Sequence, residues 1–183
     1  MSRIPLEHPR TPVVRIAEWW SRRKYGDVLD PGKAALHNRG VLTTLLLTEG
    51  TVKLWRGLDP TLKALATMAA AARIECSWCL DFGYWEFTHG GVDQAKLRDV
   101  PRWRDSDAYT DLERRVMAYA EAMTATPPEV TDAQVAALRQ NLGDKALVEL
   151  TAMVALENQR SRTNSALGLT SQGFKETCEL RPA

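Results

Sequence analysis

Glu75-Cys76-Ser77-Trp78-Cys79-Leu80-Asp81-Phe82-Gly83 is the stretch on which the reading of this chain turns. It sets two of the three cysteines as Cys-x-x-Cys, after an Ala-rich run from Ala64 to Ala72 and before a second apolar run from Leu80 to Phe87. Two cysteines three apart on a helix share a face, one turn apart. At a helix start the first also meets unpaired backbone N–H groups and the positive end of the dipole. That setting favours thiolate, the reactive form of the side chain. Spacing and position together predict a reversible Cys76–Cys79 disulfide. The competing reading is two small buried hydrophobes at a helix contact. Zinc needs four ligands, and beyond this pair only Cys178, His8, His37 and His89 remain, without a second paired motif. No metal and no cofactor are expected.

Helix punctuation is readable on both sides of this stretch. Thr11-Pro12, Asp30-Pro31 and Asp59-Pro60 each give a capping residue followed by Pro at the first helical position. They predict helices to about Tyr25, to about Arg39 and to about Arg73. Val41 to Trp55 is apolar on most faces and is expected to be buried, with Gly50 weakening its second half. The cysteine helix is expected over 77–88, stopped by Gly90-Gly91, with a short helix over 93–98. Val100 to Asp107 reads as an exposed loop. Tyr109 to Thr124 is amphipathic, Thr131 with Gln134 forms a capping box, and Gly143-Asp144 separates that helix from a last long one, 145–167. No strand pattern appears. The expected fold is all-α, a single-domain bundle of about eight helices over 1–183. Residues 1–40 form an N-terminal helical extension and 170–183 an aperiodic tail. Cys178 in that tail reads as a bystander.

Bulk properties narrow the function. The formal net charge of the 183 residues is +1, from 24 basic and 23 acidic side chains, with no basic stripe interleaved with aromatics, so no nucleic-acid partner is expected. The apolar runs are too short to cross a bilayer. Met1-Ser2-Arg3-Ile4-Pro5 lacks the apolar core of a signal peptide. A cytoplasmic protein with no membrane partner is expected.

Several stretches, in order, carry a resemblance. The Asp-Pro-led Ala-rich helix is followed by Cys-Ser-Trp-Cys and a helix ending in Gly-Gly. Next come 115–128, Arg-Val-Met-Ala-Tyr-Ala-Glu-Ala-Met-Thr-Ala-Thr-Pro-Pro, then Val130-Thr-Asp. Last come 146–158, Ala-Leu-Val-Glu-Leu-Thr-Ala-Met-Val-Ala-Leu-Glu-Asn, and Arg162, Asn164 and Ala166-Leu-Gly. From Leu42 to Leu169 the chain resembles the carboxymuconolactone decarboxylase family, which includes alkylhydroperoxidase D-like proteins. The resemblance implies an all-α homo-oligomer, as trimer, hexamer or dimer, acting on a small-molecule substrate with a thiol reductant as partner. It implies that Cys79 attacks a peroxide and that Cys76 resolves the sulfenic acid to a disulfide.

The family's proton relay is a carboxylate twelve positions before the first cysteine and a histidine four after the second. Here those positions hold Ala64 and Gly83. Peroxide reduction is therefore expected to be slow, and Ala64→Glu with Gly83→His is expected to raise it if the helix contact admits both side chains. Glu86, two turns and roughly 10 Å beyond Cys79 on the same face, is the best local substitute for the relay. His89 stands roughly 15 Å away, and Asp81 points about 160° from Cys79. Gly83 either lets a neighbouring helix approach or leaves a hollow beside Cys79 for a ligand. Arg162 and Asn158 share a face and read as a tie to a carboxylate or a helix end. The expected function is a thiol-dependent, peroxidase-like oxidoreductase working through Cys79, Cys76 and Glu86. The alternatives are a cofactor-free decarboxylase or isomerase-type lyase, and a non-catalytic ligand-binding oligomer.

Overall fold

The helix starts marked by Thr11-Pro12 and Asp59-Pro60 are found as expected, whereas at Asp30-Pro31 the cap position falls on Leu29 with no side-chain bond and the helix ends at Ala35, short of Arg39. The computed structural model describes residues 2–9 and 11–179. Its helices are α1 (Pro12–Tyr25), α2 (Asp30–Ala35), α3 (Arg39–Val52), α4 (Pro60–Ile74), α5 (Ser77–His89), α6 (Gln94–Asp99), α7 (Asp111–Thr124), α8 (Asp132–Ala166) and α9 (Phe174–Glu179), with a 3₁₀ segment over Val100–Asp105. No strand occurs among the described residues, and none of the helices is long and apolar enough to cross a membrane. Thr11 caps α1 through Val14 N–H at 3.3 Å, Asn38 caps α3, and the Thr110–Glu113 capping box opens α7. Gly143 interrupts α8 with φ 75°, the break expected between the last two helical runs.

Contacts divide the chain into two compact units. The smaller comprises residues up to Trp55 with Ala166–Leu169, and the larger comprises Arg56–Ser165 with the segment from Thr170 onward. In the smaller unit the backbone N–H of Arg3 donates to Leu167 O at 2.8 Å. Its helices bury little. α3 has no buried residue, contrary to the burial expected for Val41 to Trp55. Leu46 and Leu47 stay exposed, as do Val13, Ile16, Trp19 and Trp20 of α1. Apolar periodicity reports that a face wants cover, without saying which chain provides it. Large apolar side chains left exposed in this number suit an interaction face. Light scattering at micromolar protein is expected to give a multiple of 20.5 kDa. A clean monomer would remove the case for subunit contacts at α1 and α3.

The larger unit is built around α4. Asp59 accepts from Thr61 and Leu62 N–H at 2.8 and 3.1 Å, and Pro60 takes the first helical position. Every residue from Ala64 to Ala71 is buried, so α4 is covered on all sides. The small alanine side chains let α5 and α7 pack closely on it. Residues Val100–Asp105 are not the exposed loop their charge suggests. Val100 and Trp103 are buried, and Trp103 Nε1–H donates to Glu121 Oε1 at 2.8 Å. The tail is not aperiodic either. Its residues 174–179 form α9, with Phe174 and Cys178 buried, while 180–183 of the expected tail lie outside the described residues.

One carboxylate joins α6 to α7. Glu113 is buried and accepts from Lys96 Nζ at 2.6 Å and from the Thr110 N–H at 2.8 Å. Burial acts to raise its pKa, but the Lys96 and Thr110 hydrogen bonds and the Lys96 charge outweigh it and hold it below 4.5. A depressed carboxyl contributes stability that is complete above the ordinary value and lost as pH falls through the folded one. Glu113→Gln is therefore expected to lower stability at neutral pH and to flatten its fall below about pH 4.5. Urea melts at pH 7 and pH 3.5 check this. An unchanged acid slope would contradict it.

Candidate active site

The turn between α4 and α5 is fixed from both ends. Glu75 takes the left-handed conformation, φ 61°, and closes α4 by donating its N–H to Ala72 O at 3.0 Å. The Cys76 N–H donates to Ala71 O at 3.0 Å. Cys76 then caps α5, its sulfur accepting from Cys79 N–H at 3.3 Å. The two sulfurs lie against each other as a disulfide, with Cα atoms 5.3 Å apart. Cys76 is 1% exposed and Cys79 7%.

α8 reaches the same point from across the unit. Asn164, itself buried, donates its side-chain N–H to Cys79 Sγ at 3.4 Å. Two further buried polar residues share that face of α8. Ser161 Oγ donates to Glu157 Oε1 at 2.6 Å. Asn158 and Arg162, neighbours on a different side of α8, tie down the end of α7. Arg162 donates to Thr124 O at 3.0 Å and Asn158 to Thr124 Oγ1 at 2.8 Å. This is the helix-end tie expected for the pair.

The tail covers another face of α5. Asp81 is buried, and its carboxylate accepts four backbone N–H groups at the start of α9: Gln172, Gly173 and Phe174 on Oδ2 at 2.8, 2.9 and 3.1 Å, and Lys175 on Oδ1 at 2.7 Å. Trp78 Nε1–H donates to Gln172 Oε1 at 2.8 Å. Trp78, Phe82 and Trp85 stack in sequence along α5, and Phe174 packs edge-on to Phe82 at 5.4 Å.

Gly83 serves packing. A Cβ built there would stand 2.6 Å from Met68 Sδ, so the hollow considered beside Cys79 is filled by Met68. Ala64 is completely buried in the α4 core. Glu86 lies on the exposed side of α5. His89 is exposed, its ring tilted 32° to that of Trp85 with centroids 4.2 Å apart, and is bonded through Nδ1 to Trp85 O at 2.8 Å. In the larger unit, a surface hollow lined by Asp132, Val135 and Arg139 includes neither cysteine. Sequence reasoning thus brought Cys76 and Cys79 together correctly. It gave no role to Asn164 and dismissed Asp81. Asn164 lies 85 positions from Cys79, and the visible signal was its place in a polar row, 157, 161 and 164, on an otherwise apolar helix face.

Known proteins resemble this chain in sequence and in fold. The sequence pattern of the carboxymuconolactone decarboxylase family matches residues 42–122. The uncharacterized protein YnjA of Escherichia coli (strain K12) is 32% identical over 182 residues, 99% of this chain and 97% of that one. The alkylhydroperoxidase AhpD core of an uncharacterized peroxidase-related protein from Ralstonia eutropha JMP134 superposes with TM-score 0.82 at 17% identity, over 95% of this chain and 94% of that one. A cysteine-to-alanine variant of the debrominase Bmp8, in complex with 2,3,4-tribromopyrrole, superposes with TM-score 0.81 at 16% identity, over 99% of this chain and all of that one. With that sequence match over the whole chain and the same helical architecture around its paired cysteines, the chain belongs to the carboxymuconolactone decarboxylase family and has an alkylhydroperoxidase D-like fold.

Proposed function

We propose that the protein is a thiol-dependent oxidoreductase in which Cys79 and Cys76 act as a dithiol on an organic peroxide or a related organic electrophile. The observation that carries the reading is the adjacency of the two sulfurs at the start of α5, with a buried amide donor on one of them. A thiolate at a helix start is favoured by the dipole and by unpaired N–H groups. Reaction with a hydroperoxide forms a sulfenic acid on Cys79 and releases an alcohol. Cys76 then displaces water from that sulfur, and an external thiol reductant returns the pair to the dithiol. The debrominase of the same fold, crystallised with a halogenated pyrrole, points to an organic substrate. The decarboxylase-type alternative drew on a hollow beside Gly83, a space Met68 takes up. Glu86 keeps a part only if a bound substrate or a second subunit brings a proton path to its exposed carboxylate.

Reduced protein treated with one equivalent of cumene hydroperoxide is expected to lose two thiols, mapped by mass spectrometry to Cys76 and Cys79, with Cys178 unchanged. Cys76→Ser is expected to leave a dimedone-reactive sulfenic acid on Cys79, and Cys79→Ser to abolish the reaction. Free thiols after oxidant, or a bridge to Cys178, would sink the reading.

A further inference from the structure

We infer that reduction of the Cys76–Cys79 pair stabilises the fold, so that its disulfide readily takes electrons from small monothiols. This rests on the dithiol reading above and names the class of its electron donor. Each sulfur is given one N–H donor, and the two donors come from different helices. Cys76 Sγ accepts from the Cys79 N–H at 3.3 Å, and Cys79 Sγ accepts from the Asn164 side chain at 3.4 Å. Sulfur in a disulfide is a weak acceptor, whereas an ionised acceptor takes a bond about twice as strong as a neutral one. A disulfide carries no charge, and a dithiol that has lost one proton carries one. Because both sulfurs are provided for, the charge meets a donor on either of them.

The helix start adds to this. Cys76 is the N-cap of α5, a helix of 13 residues, where an acceptor closes the first turn and negative charge meets the positive end of the dipole. A disulfide sulfur caps poorly. A thiolate there does what the Asp59 carboxylate does for α4. Asn164 is 5% exposed, so water competes little for its N–H. Burial works in the other direction, since Cys76 is 1% and Cys79 7% exposed, and it disfavours charge. Two donors and a helix start, all acting on one charge, outweigh it. Asn164 is a positioning residue in this scheme.

The same burial bears on the donor. A small thiol needs less of an opening to reach these sulfurs than the docked active site of a protein does. Its thiolate attacks one sulfur of the pair, the S–S bond breaks, and the other sulfur leaves as a thiolate. A second donor thiolate then attacks the donor sulfur of the mixed disulfide and releases the donor disulfide. Two thiols become one disulfide and the pair gains two electrons. The two protons that the donors give up are divided between the protein sulfurs and solvent. A pair whose reduced form is the stabilised one is an oxidant towards ordinary thiols.

Full-length protein is oxidised with diamide, so that no peroxide is involved, and equilibrated at pH 7 in mixtures of glutathione and its disulfide. Alkylation with iodoacetamide and mass spectrometry then read the reduced fraction. The folded pair is expected to be half reduced at a ratio of squared glutathione to glutathione disulfide about 10²-fold lower than the same chain in concentrated urea, a difference of about 60 mV. In urea melts the reduced wild type is expected to outlast the oxidised one by the matching amount. Asn164→Ala is expected to bring the folded ratio back by roughly tenfold and to narrow the gap between the two melts accordingly. Asn164→Asp keeps the shape without the donor and is expected to move it at least as far. A merely structural Asn164 would weaken both redox forms equally and leave the ratio in place, and that result in both variants would overturn its part. The wild-type comparison needs no variant: a folded pair no easier to reduce than the unfolded one, or an oxidised form that resists urea better, would overturn the inference. Failure of diamide to join Cys76 to Cys79 would remove it together with the dithiol reading. If the ratio is as expected while the wild-type thiols ignore cumene hydroperoxide, the peroxide reading falls alone and the stabilised reduced pair stands.

Discussion

Combining Ala64→Glu with Gly83→His is expected to unfold the protein rather than to speed peroxide reduction. Ala64 has no exposed surface and sits where α4 is covered on all sides. A glutamate there is buried without a partner, which costs on the order of several kcal/mol even when it is protonated. At position 83 a single added carbon already meets Met68 Sδ at 2.6 Å, and an imidazole adds five more heavy atoms in the same direction. Overpacking of this kind costs about 1–3 kcal/mol. Together the two losses approach the about 5–15 kcal/mol that holds a domain folded. Gly83→Ala alone is expected to cost about 1 kcal/mol, because the end of Met68 can swing aside. Adding Met68→Ala to Gly83→His is expected to restore part of the loss. Thermal melts followed by circular dichroism compare the series. A double variant that melts with the wild type would show the α4–α5 contact to be looser than its geometry indicates.

Asp81→Ala is expected to release α9 from the cysteine helix. Four N–H groups lose their shared acceptor at once, and hydrogen bonds to a charged group contribute about 1.5–3 kcal/mol where they are buried. A helix of six residues has no stability of its own to fall back on. The expected loss is about 3 kcal/mol in chemical denaturation, with Phe174 and Cys178 uncovered. Brief proteolysis would then cut between Thr170 and Gly173 in the variant and spare the wild type. Asp81→Asn keeps the shape but only one acceptor oxygen, and is expected to fall between the two. Wild-type protease resistance in Asp81→Ala would mean that the aromatic contacts of Phe174 alone hold the tail.

What was legible follows from the range of each interaction. Helix starts at Thr11, Asp59 and Thr131 are local, made by side chains within three residues of the N–H groups they cap. The adjacency of Cys76 and Cys79 is likewise a one-turn relation, and so could be read directly. Asp81 and Asn164 act on residues more than 80 positions away, and no periodicity encodes that. α3 misled for a different reason: its apolar residues face outward, and a single chain does not specify its neighbours. Gly83 was open to two readings because glycine records only that a side chain is absent. Met68, fifteen positions earlier on another helix, supplies the reason.

The double anchoring of the α4–α5 turn bears on how the protein presents itself to other molecules. The backbone of Cys76 is tied into the end of α4, while its side chain closes the start of α5. Making or breaking a bond between the sulfurs then requires side-chain rotation and little else. On the dithiol reading proposed above, the oxidised and reduced forms are expected to share nearly the same outline, and an external thiol reductant then has no change of shape to recognise. Turnover is expected to show product inhibition by the reduced form.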